Sequence, residues 1–389
     1  MKYSPNQQIK RQLLRHILDG QFEPNQTLPT IETLAKTFKV STKTVQKAIH
    51  ALSAEGVIEA KRGTGLFIKP LDPKAGAGKR IGFVHPGSPQ YLTGVVYPKP
   101  IYDAFEKTMQ EAGYTVVPCS LARMERLVLE ESLLKLRLTG LALFEIDSDI
   151  LISEFRDMRL PMVSLDYDAY RHNLSSVFVD NIWGTFEATK YLIELGHRNI
   201  CFVRPLMRNP INNGSLDAVE EERIKGYRLA MQEAGLPVHV EEYGRGSSDL
   251  RAAIVPVLGA RPAPTAFVTS TDGGAVKIAE EVQNLGFSVP DDISVVGFGN
   301  DRTEFAPGKL LTSVRVDWPE MGEQAAKILQ DVLKGNTRAR RHFVSAKLAV
   351  HESTAPASKG TANKRQREAV RVLNQQQNSN SELGVQNSE

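Results

Sequence analysis

Ser41-Thr42-Lys43-Thr44-Val45-Gln46-Lys47 sets hydroxyls, an amide and two cations in a segment whose apolar residues Val45, Ala48, Ile49 and Leu52 recur at helical spacing. On a helix those four form the buried stripe, so Thr42, Lys43, Gln46 and Lys47 lie away from it. Side chains of these types supply what a duplex requires: a glutamine amide matches adenine bidentately, and lysine neutralises phosphate. Further on, Lys61-Arg62-Gly63-Thr64-Gly65 joins two cations to glycines, which let a backbone approach phosphate closely. The chemistry indicated is recognition of nucleic acid.

Positioning these groups requires a set of short elements. Thr30 is an N-cap for a helix running to about Phe38, Ser41 opens the second helix and Gly56 closes it. Val57-Ile58 and Leu66-Phe67-Ile68 read as strands around the basic turn. Ahead of them, Asn6 to about Leu18 carries an amphipathic stripe of Ile9, Leu13, Leu14 and Ile17, ended by Asp19-Gly20. The outcome is a winged helix, α+β in class. Helix pairs of this kind also serve protein contacts, and the basic glycine turn favours DNA. The expected DNA-binding residues are Thr30, Ser41, Thr42, Lys43, Thr44, Gln46, Lys47, Lys61, Arg62, Gly63, Thr64 and Gly65.

Residues 5 to 69 resemble the GntR family of bacterial regulators. Leu28-Pro29-Thr30 opens the second helix, Val40-Ser41 the recognition helix, Glu55-Gly56-Val57-Ile58 precedes the wing, and Gly63-Thr64-Gly65 forms its tip. The chain departs from the family at Glu32, Thr42 and Gln46, where many members carry arginine. Glutamine favours adenine where arginine favours guanine, so a different base preference is expected.

The chain has 389 residues, enough for two or three domains, with 41% hydrophobic and 24% charged residues. No run of apolar residues suits a membrane span or a secretory signal, and a cytoplasmic location without membrane contact is expected. Cys119 and Cys201 sit in apolar, strand-like settings and read as buried thiols outside any metal-ligand spacing. Formal charge is +8 over residues 1–80 and −5 over the rest, as suits a nucleic-acid module joined to one with another task.

The expected organisation is a winged helix-turn-helix over 1–70, a Pro/Gly/Ala-rich linker over 71–79, an effector and dimerisation domain over 80–354 and a disordered polar tail over 355–389. From Arg80 onward, short apolar runs at 81–85, 115–119, 141–146, 161–165, 200–203, 265–268 and 293–296 alternate with helical segments at about 98–112, 125–138, 150–158, 184–195, 217–234, 273–285 and 319–334. Runs apolar on both alternations are strands of parallel sheets covered by helices. Their number predicts two doubly wound α/β subdomains with a ligand cleft at the strand ends.

Residues 80 to 354 resemble the effector domain of the LacI/GalR family, itself similar to periplasmic sugar-binding proteins of type I. The matches include Val179-Asp-Asn-Ile-Trp-Gly184, Leu195-Gly-His-Arg-Asn-Ile200, Arg223-Ile-Lys-Gly-Tyr227, Asp292-Ile-Ser-Val-Val-Gly-Phe298, Leu311-Thr-Ser-Val-Arg315 and Leu348-Ala-Val-His-Glu-Ser-Thr354. A GntR-type head on a LacI-type body is similar to the subgroup that includes arabinose-responsive repressors. The resemblance implies that Arg223 holds a sugar hydroxyl or carboxylate, although a surface arginine on a helix is the plainer alternative, and that Asp272 lies in the pocket. The chain departs from the family pattern at Thr271, where Asn is usual, at Asn300, which displaces Asp301 from the usual aspartate position, and at Val316, where Gln is common. Ser88, Tyr91, Asp166 and Trp183 are further candidates for the pocket wall, with Trp183 open to stacking on a sugar or packing in the core.

The expectation is a transcriptional regulator of repressor type, a homodimer on double-stranded operator DNA, whose affinity is set by a sugar or sugar-like effector. A ligand-responsive activator is the alternative within that class. No catalytic residue, cofactor or metal is expected: Gly297-Phe-Gly299 lacks the third glycine of a dinucleotide loop, and neither a P-loop nor a G-x-S-x-G elbow occurs. A solute-binding receptor is a third reading, disfavoured by the basic head.

Overall fold

The computed structural model describes residues 6, 8–10, 12–13, 27–54, 58–61, 65–68, 79–93, 97–123, 133, 136, 138–206, 218–244, 247–299, 303–357 and 370–371. In the head, Thr30 caps helix α1 (Ile31–Phe38), its hydroxyl accepting the Thr33 N–H at 3.2 Å. The chain turns at Lys39, in the left-handed region at φ 53°. Ser41 then opens helix α2 (Thr42–Ala54) by accepting the Thr44 N–H at 3.1 Å; removing such a cap costs roughly 1 kcal/mol. Val45, Ala48, Ile49 and Leu52 are buried with Ile9, Leu13, Leu34 and Ile58 in one core, so the apolar stripe faces inward as its period requires. Strands β1 (Ile58–Lys61) and β2 (Gly65–Ile68) pair antiparallel from Ile58 opposite Ile68 to Lys61 opposite Gly65. Thr27 makes an isolated antiparallel bridge to Phe67 and the Leu28 N–H donates to the Leu66 carbonyl at 2.8 Å, tying the segment before α1 to the hairpin. Leu14, Ile17, Gly56 and Val57 lie outside the described residues.

Among the described residues the body contains two six-stranded sheets of one design and a small antiparallel ribbon of β12 (Glu304–Ala306) and β13 (Lys309–Leu310). The first runs β4 (Thr115–Ser120), β3 (Arg80–His85), β5 (Gly140–Phe144), β6 (Met162–Leu165), β7 (Ser175–Val179) and β15 (Arg341–Val344), all parallel. The second runs β9 (Val240–Tyr243), β8 (Ile200–Pro205), β10 (Ala266–Thr269), β11 (Ser294–Gly299), β14 (Thr312–Val316) and β16 (Ala346–Ala349), parallel except for the edge strand β16. In each, the strand that comes first in the chain lies between the second and third, so the order reverses beside it. Ligands of such sheets bind in the crevice outside the carboxyl ends at that reversal.

The chain passes between lobes three times, after β7, after β14 and between β15 and β16. Two of these passages have the same local design. Asp180 caps helix α5 (Asn181–Glu194), accepting the Trp183 N–H at 3.0 Å, and Asp317 caps helix α9 (Trp318–Leu333), accepting the Glu320 N–H at 3.0 Å. Helix α9 packs on α3 (Lys99–Glu111), and α5 packs on α6 (Ala218–Glu233). Glycine makes both approaches possible: a Cβ on Gly322 would lie 2.1 Å from the Ile101 carbonyl oxygen, and one on Gly226 would lie 2.2 Å from that of Ile182. Among the described residues, the remaining helices of eight or more residues are α4 (Asp149–Asp157), α7 (Ser247–Leu258) and α8 (Asp272–Asn284).

Cys119 and Cys201 are buried free thiols, as expected, and burial pushes the Cys119 thiol up to about 12. Most of the helix expected at 125–138 lies outside the described residues. Of the segment expected to be a disordered tail only residues 355–357 and 370–371 are described: the Ala357 N–H donates to the Leu195 carbonyl at 2.8 Å, and Val370 is fully buried in a core cluster of the second lobe.

Candidate nucleic-acid interface and ligand cleft

On α2, Thr42, Lys43, Gln46 and Lys47 are exposed, as is His50, which the sequence pattern did not single out. The Ser41 and Thr44 hydroxyls bond each other at 2.8 Å while Ser41 caps the helix, so their first role is to fix where the reading face begins. Thr30 likewise shares its hydroxyl with Thr33 at 3.0 Å. Lys61 stands opposite Gly65 in the hairpin; Arg62, Gly63, Thr64 and the Lys61 side chain lie outside the described residues. Gly65 has φ 119°, a conformation that side chains rarely adopt.

In the first lobe, His85 ends β3 and Glu145 follows β5, so the two flank the reversal of strand order. Glu145 and Asp166 both have left-handed backbones, with φ 55° and 56°. Such conformations are uncommon for non-glycine residues and gather at binding sites. Here they turn two carboxylates from separate strand ends onto one hydroxyl: that of Tyr97 lies on Glu145 Oε1 and donates to Asp166 Oδ2 at 2.7 Å. Burial, then the two carboxylates, hold the Tyr97 phenol well above its ordinary range. The Tyr91 hydroxyl donates to Glu145 Oε2 at 2.6 Å, and its ring stacks on His85 at 5.9 Å. Trp318, the first residue of α9, packs on Tyr97 at 4.8 Å. The sequence pattern had picked out Tyr91 and Asp166 but neither Tyr97, Glu145, His85 nor Trp318.

Burial lowers the His85 imidazole from 6.5 to about 4. The unfolded chain therefore takes up a proton near pH 6.5, whereas the folded chain resists it until about pH 4. The stability difference is absent above that window and develops as pH falls through it, to about 3 kcal/mol. His85→Phe is expected to flatten the acid limb of the stability profile between these pH values, as read by urea unfolding.

In the second lobe, Arg223 is buried, which excludes the surface alternative. Its Nε donates to Asn181 Oδ1 at 3.0 Å, its Nη1 donates to the Ser270 carbonyl at 2.6 Å, and its guanidinium lies 3.9 Å from the centre of the Phe298 ring. Asn181 Nδ2 in turn donates to Glu222 Oε2 at 3.0 Å. Asn181 begins α5, so the arginine is tied to the passage between lobes. Burial raises the Glu222 carboxyl pKa, with added repulsion from Asp168 and Asp180. Arg204 is the last residue but one of β8 and pairs with Glu242 and with Glu221, the latter at 3.0 Å.

The remaining expected pocket residues take varied positions. Asp272 accepts from Ser313 at 2.5 Å and Thr303 at 3.3 Å, so its carboxylate binds within its own lobe. Thr271 uses its hydroxyl to cap α8, accepting the Gly274 N–H at 3.1 Å. Ser88 is exposed, and its carbonyl accepts the Tyr91 N–H at 2.9 Å. Trp183 is 54% exposed and stacks on Phe186 at 5.5 Å, so it is not a core residue. Asn300 and Asp301 lie outside the described residues. Among the described residues, no helix is long and apolar enough to cross a membrane, and no group of three or more His, Cys, Asp or Glu residues is arranged to hold a metal ion.

Comparison with known proteins matches residues 5–68 to the bacterial regulatory proteins of the gntR family and residues 189–354 to the periplasmic binding protein-like domain. The chain is 30% identical over 328 residues to the HTH-type transcriptional repressor PurR of Serratia proteamaculans, spanning 78% of this chain and 90% of that one. It is 29% identical over 345 residues to the arabinose metabolism transcriptional repressor of Geobacillus stearothermophilus, spanning 84% and 90%. A LacI family transcriptional regulator from Enterococcus faecium, solved with bound ribose, aligns with a TM-score of 0.59 at 20% identity, over 72% of this chain and all of that one. With a gntR-type reading head ahead of two lobes of this topology, the chain belongs to the bacterial HTH-type transcriptional repressors that carry a periplasmic-binding-protein-like effector domain.

Proposed function

We propose that the protein represses transcription as a homodimer, reading operator DNA through Thr42, Lys43, Gln46 and Lys47 and the wing from Lys61 to Gly65, and that a sugar in the cleft between the lobes releases it. The observation that carries this reading is the exposed cationic face of α2 on a head joined to a two-lobed body. One winged head offers little interface for tight specific binding, which favours two heads on paired half-sites. The arabinose metabolism repressors among the relatives favour a pentose as effector. A repressor of sugar use must let go when the sugar is present. Arg223 supplies the coupling: it sits at the strand ends and is bonded to Asn181 in the passage between lobes, so a ligand that prefers one lobe angle shifts the population of that angle. The protein acts by binding, without a catalytic step, in the compartment that holds the chromosome.

Substitutions in the head separate specificity from charge. Gln46→Ala is expected to alter base preference at one position, at a cost of about 1–3 kcal/mol on the preferred site. Lys61→Ala is expected to weaken binding to all duplexes alike and to reduce the salt slope by roughly one charge. Anisotropy titrations across a salt series read both effects. An unchanged salt slope in Lys61→Ala removes the wing from the interface.

A further inference from the structure

The exposed face of α2 carries one further polar group, His50. At about 100° per residue it lies roughly 20° around the helix axis from Lys43 and two turns, about 10 Å, beyond it. Gln46 then stands roughly 40° to one side and Lys47 roughly 60° to the other, while the buried Ala48 and Leu52 are opposite. Roles within the protein do not account for a histidine here. α2 contains no Asp or Glu to pair with an imidazolium at helical spacing, and His50 precedes the last turn, where a cation would complement the helix dipole. Among the described residues His50 makes no hydrogen bond, ion pair or ring contact, and the same holds for Lys43, Gln46 and Lys47. The charged groups on elements packed against α2 are Glu32 and Lys36 of α1, Lys39 in the turn, Lys10 beside Ile9, and Glu59 and Lys61 of β1. Arg11, Arg15, His16, Glu55 and Arg62 lie outside the described residues.

We propose that His50 binds a backbone phosphate of the duplex as an imidazolium, so that each head takes up a proton from solution on binding and DNA affinity weakens as pH rises. The proposal rests on the reading that α2 is the helix that enters the groove. A recognition helix meets base edges through its N-terminal residues. Two turns beyond Lys43 the same face reaches the phosphate wall of the groove, where contacts fix position and do not read bases. Imidazole is the side chain whose charge changes between pH 5 and 8. In the free head a third positive charge beside Lys43 and Lys47 meets no carboxylate on its own helix. On the duplex it meets an anion. The charged state is therefore favoured more in the complex than in the free protein, and by linkage a proton bound on association tightens association as pH falls. Acidification then strengthens DNA binding through the head alone, without a ligand in the body.

The test uses the purified full-length protein, a fluorescent random-sequence duplex, and a duplex that the protein has selected from the same pool. Anisotropy titrations at about pH 6, 7 and 8, each across a salt series, are run on wild type, His50→Gln, His50→Lys and His16→Gln. Wild type is expected to lose about tenfold in affinity for both duplexes from pH 6 to pH 8, the equivalent of one pKa unit gained on binding. Its salt slope is expected to be shallower at pH 8 by roughly 0.9 for each head bound. His50→Gln is expected to bind with the same weaker affinity at every pH, and His50→Lys to bind at pH 8 as wild type does at pH 6. His16→Gln alters the other histidine of the head and is expected to keep the wild-type dependence. The two His50 variants are expected to melt as wild type does, because the side chain is exposed and bonded to nothing among the described residues. A pH dependence that survives in His50→Gln, or that disappears in His16→Gln, overturns the assignment, as does a His50 variant that melts lower. Failure to bind either duplex at any pH overturns the reading on which the proposal rests; binding that ignores pH overturns only the role of His50.

Discussion

Arg223→Ala is expected to abolish the response to effector and to destabilise the body by about 3 kcal/mol, while DNA affinity in the absence of effector is retained. Removing one partner of a buried, charge-assisted network leaves the others unsatisfied. Here those are Asn181 Oδ1, the Ser270 carbonyl and, through Asn181, the Glu222 carboxylate. The guanidinium also covers the face of Phe298, which loses that contact. Urea unfolding reads the stability term, and calorimetry with the active sugar reads the binding term. Unaltered sugar affinity in a folded Arg223→Ala protein removes this arginine from the pocket.

An effect of similar size is expected where no charge is involved. Gly322→Ala and Gly226→Ala each place a methyl group within 2.2 Å of a backbone oxygen on the facing helix, Ile101 for the first and Ile182 for the second. A backbone oxygen cannot rotate away, so the helices must separate, at a cost of about 3 kcal/mol or more. For a body of this size the melting temperature should fall by roughly 6–12 °C. Gly273→Ala is the control: nothing lies within 4 Å of its Cβ position, and alanine there should be neutral or slightly stabilising. If Gly322→Ala melts like that control, the helices that follow the passages between lobes are not packed as described.

The parts of the fold that were legible in the sequence are those written in a local period. Val45, Ala48, Ile49 and Leu52 could be assigned to the interior of the head because their spacing admits one buried face. In one lobe β3, β5 and β6, and in the other β8, β10 and β11, announced themselves as apolar runs, but β7 did not, because it opens on the buried polar residues Ser175 and Ser176. β14 did not, because Thr312 and Ser313 are buried polar residues whose hydroxyls bond elsewhere in the lobe. The edge strand β9, Val-Glu-Glu-Tyr, is half polar, and helix α7 carries Pro256 within it, a residue that normally argues against a helix.

The cleft was less legible, and for a different reason. Tyr97 meets Glu145 and Asp166 across separations of 48 and 69 residues, and no spacing rule reaches that far. Resemblance to a family gave the position of Asp272 but not the fact that Ser313 and Thr303 occupy its carboxylate. Burial alone distinguishes Arg223 from the exposed arginine it could equally have been in sequence.

The account joins a DNA-reading head to a sugar-responsive cleft, and one titration tests that junction most directly. A labelled duplex, selected by the full-length protein from a random pool, is titrated against unselected duplex with and without each member of a panel of pentoses. A preference of about a thousandfold or more for the selected duplex is expected, falling when one of these sugars is added. Equal affinity for selected and unselected duplex, or a preference that every pentose leaves unchanged, would contradict it.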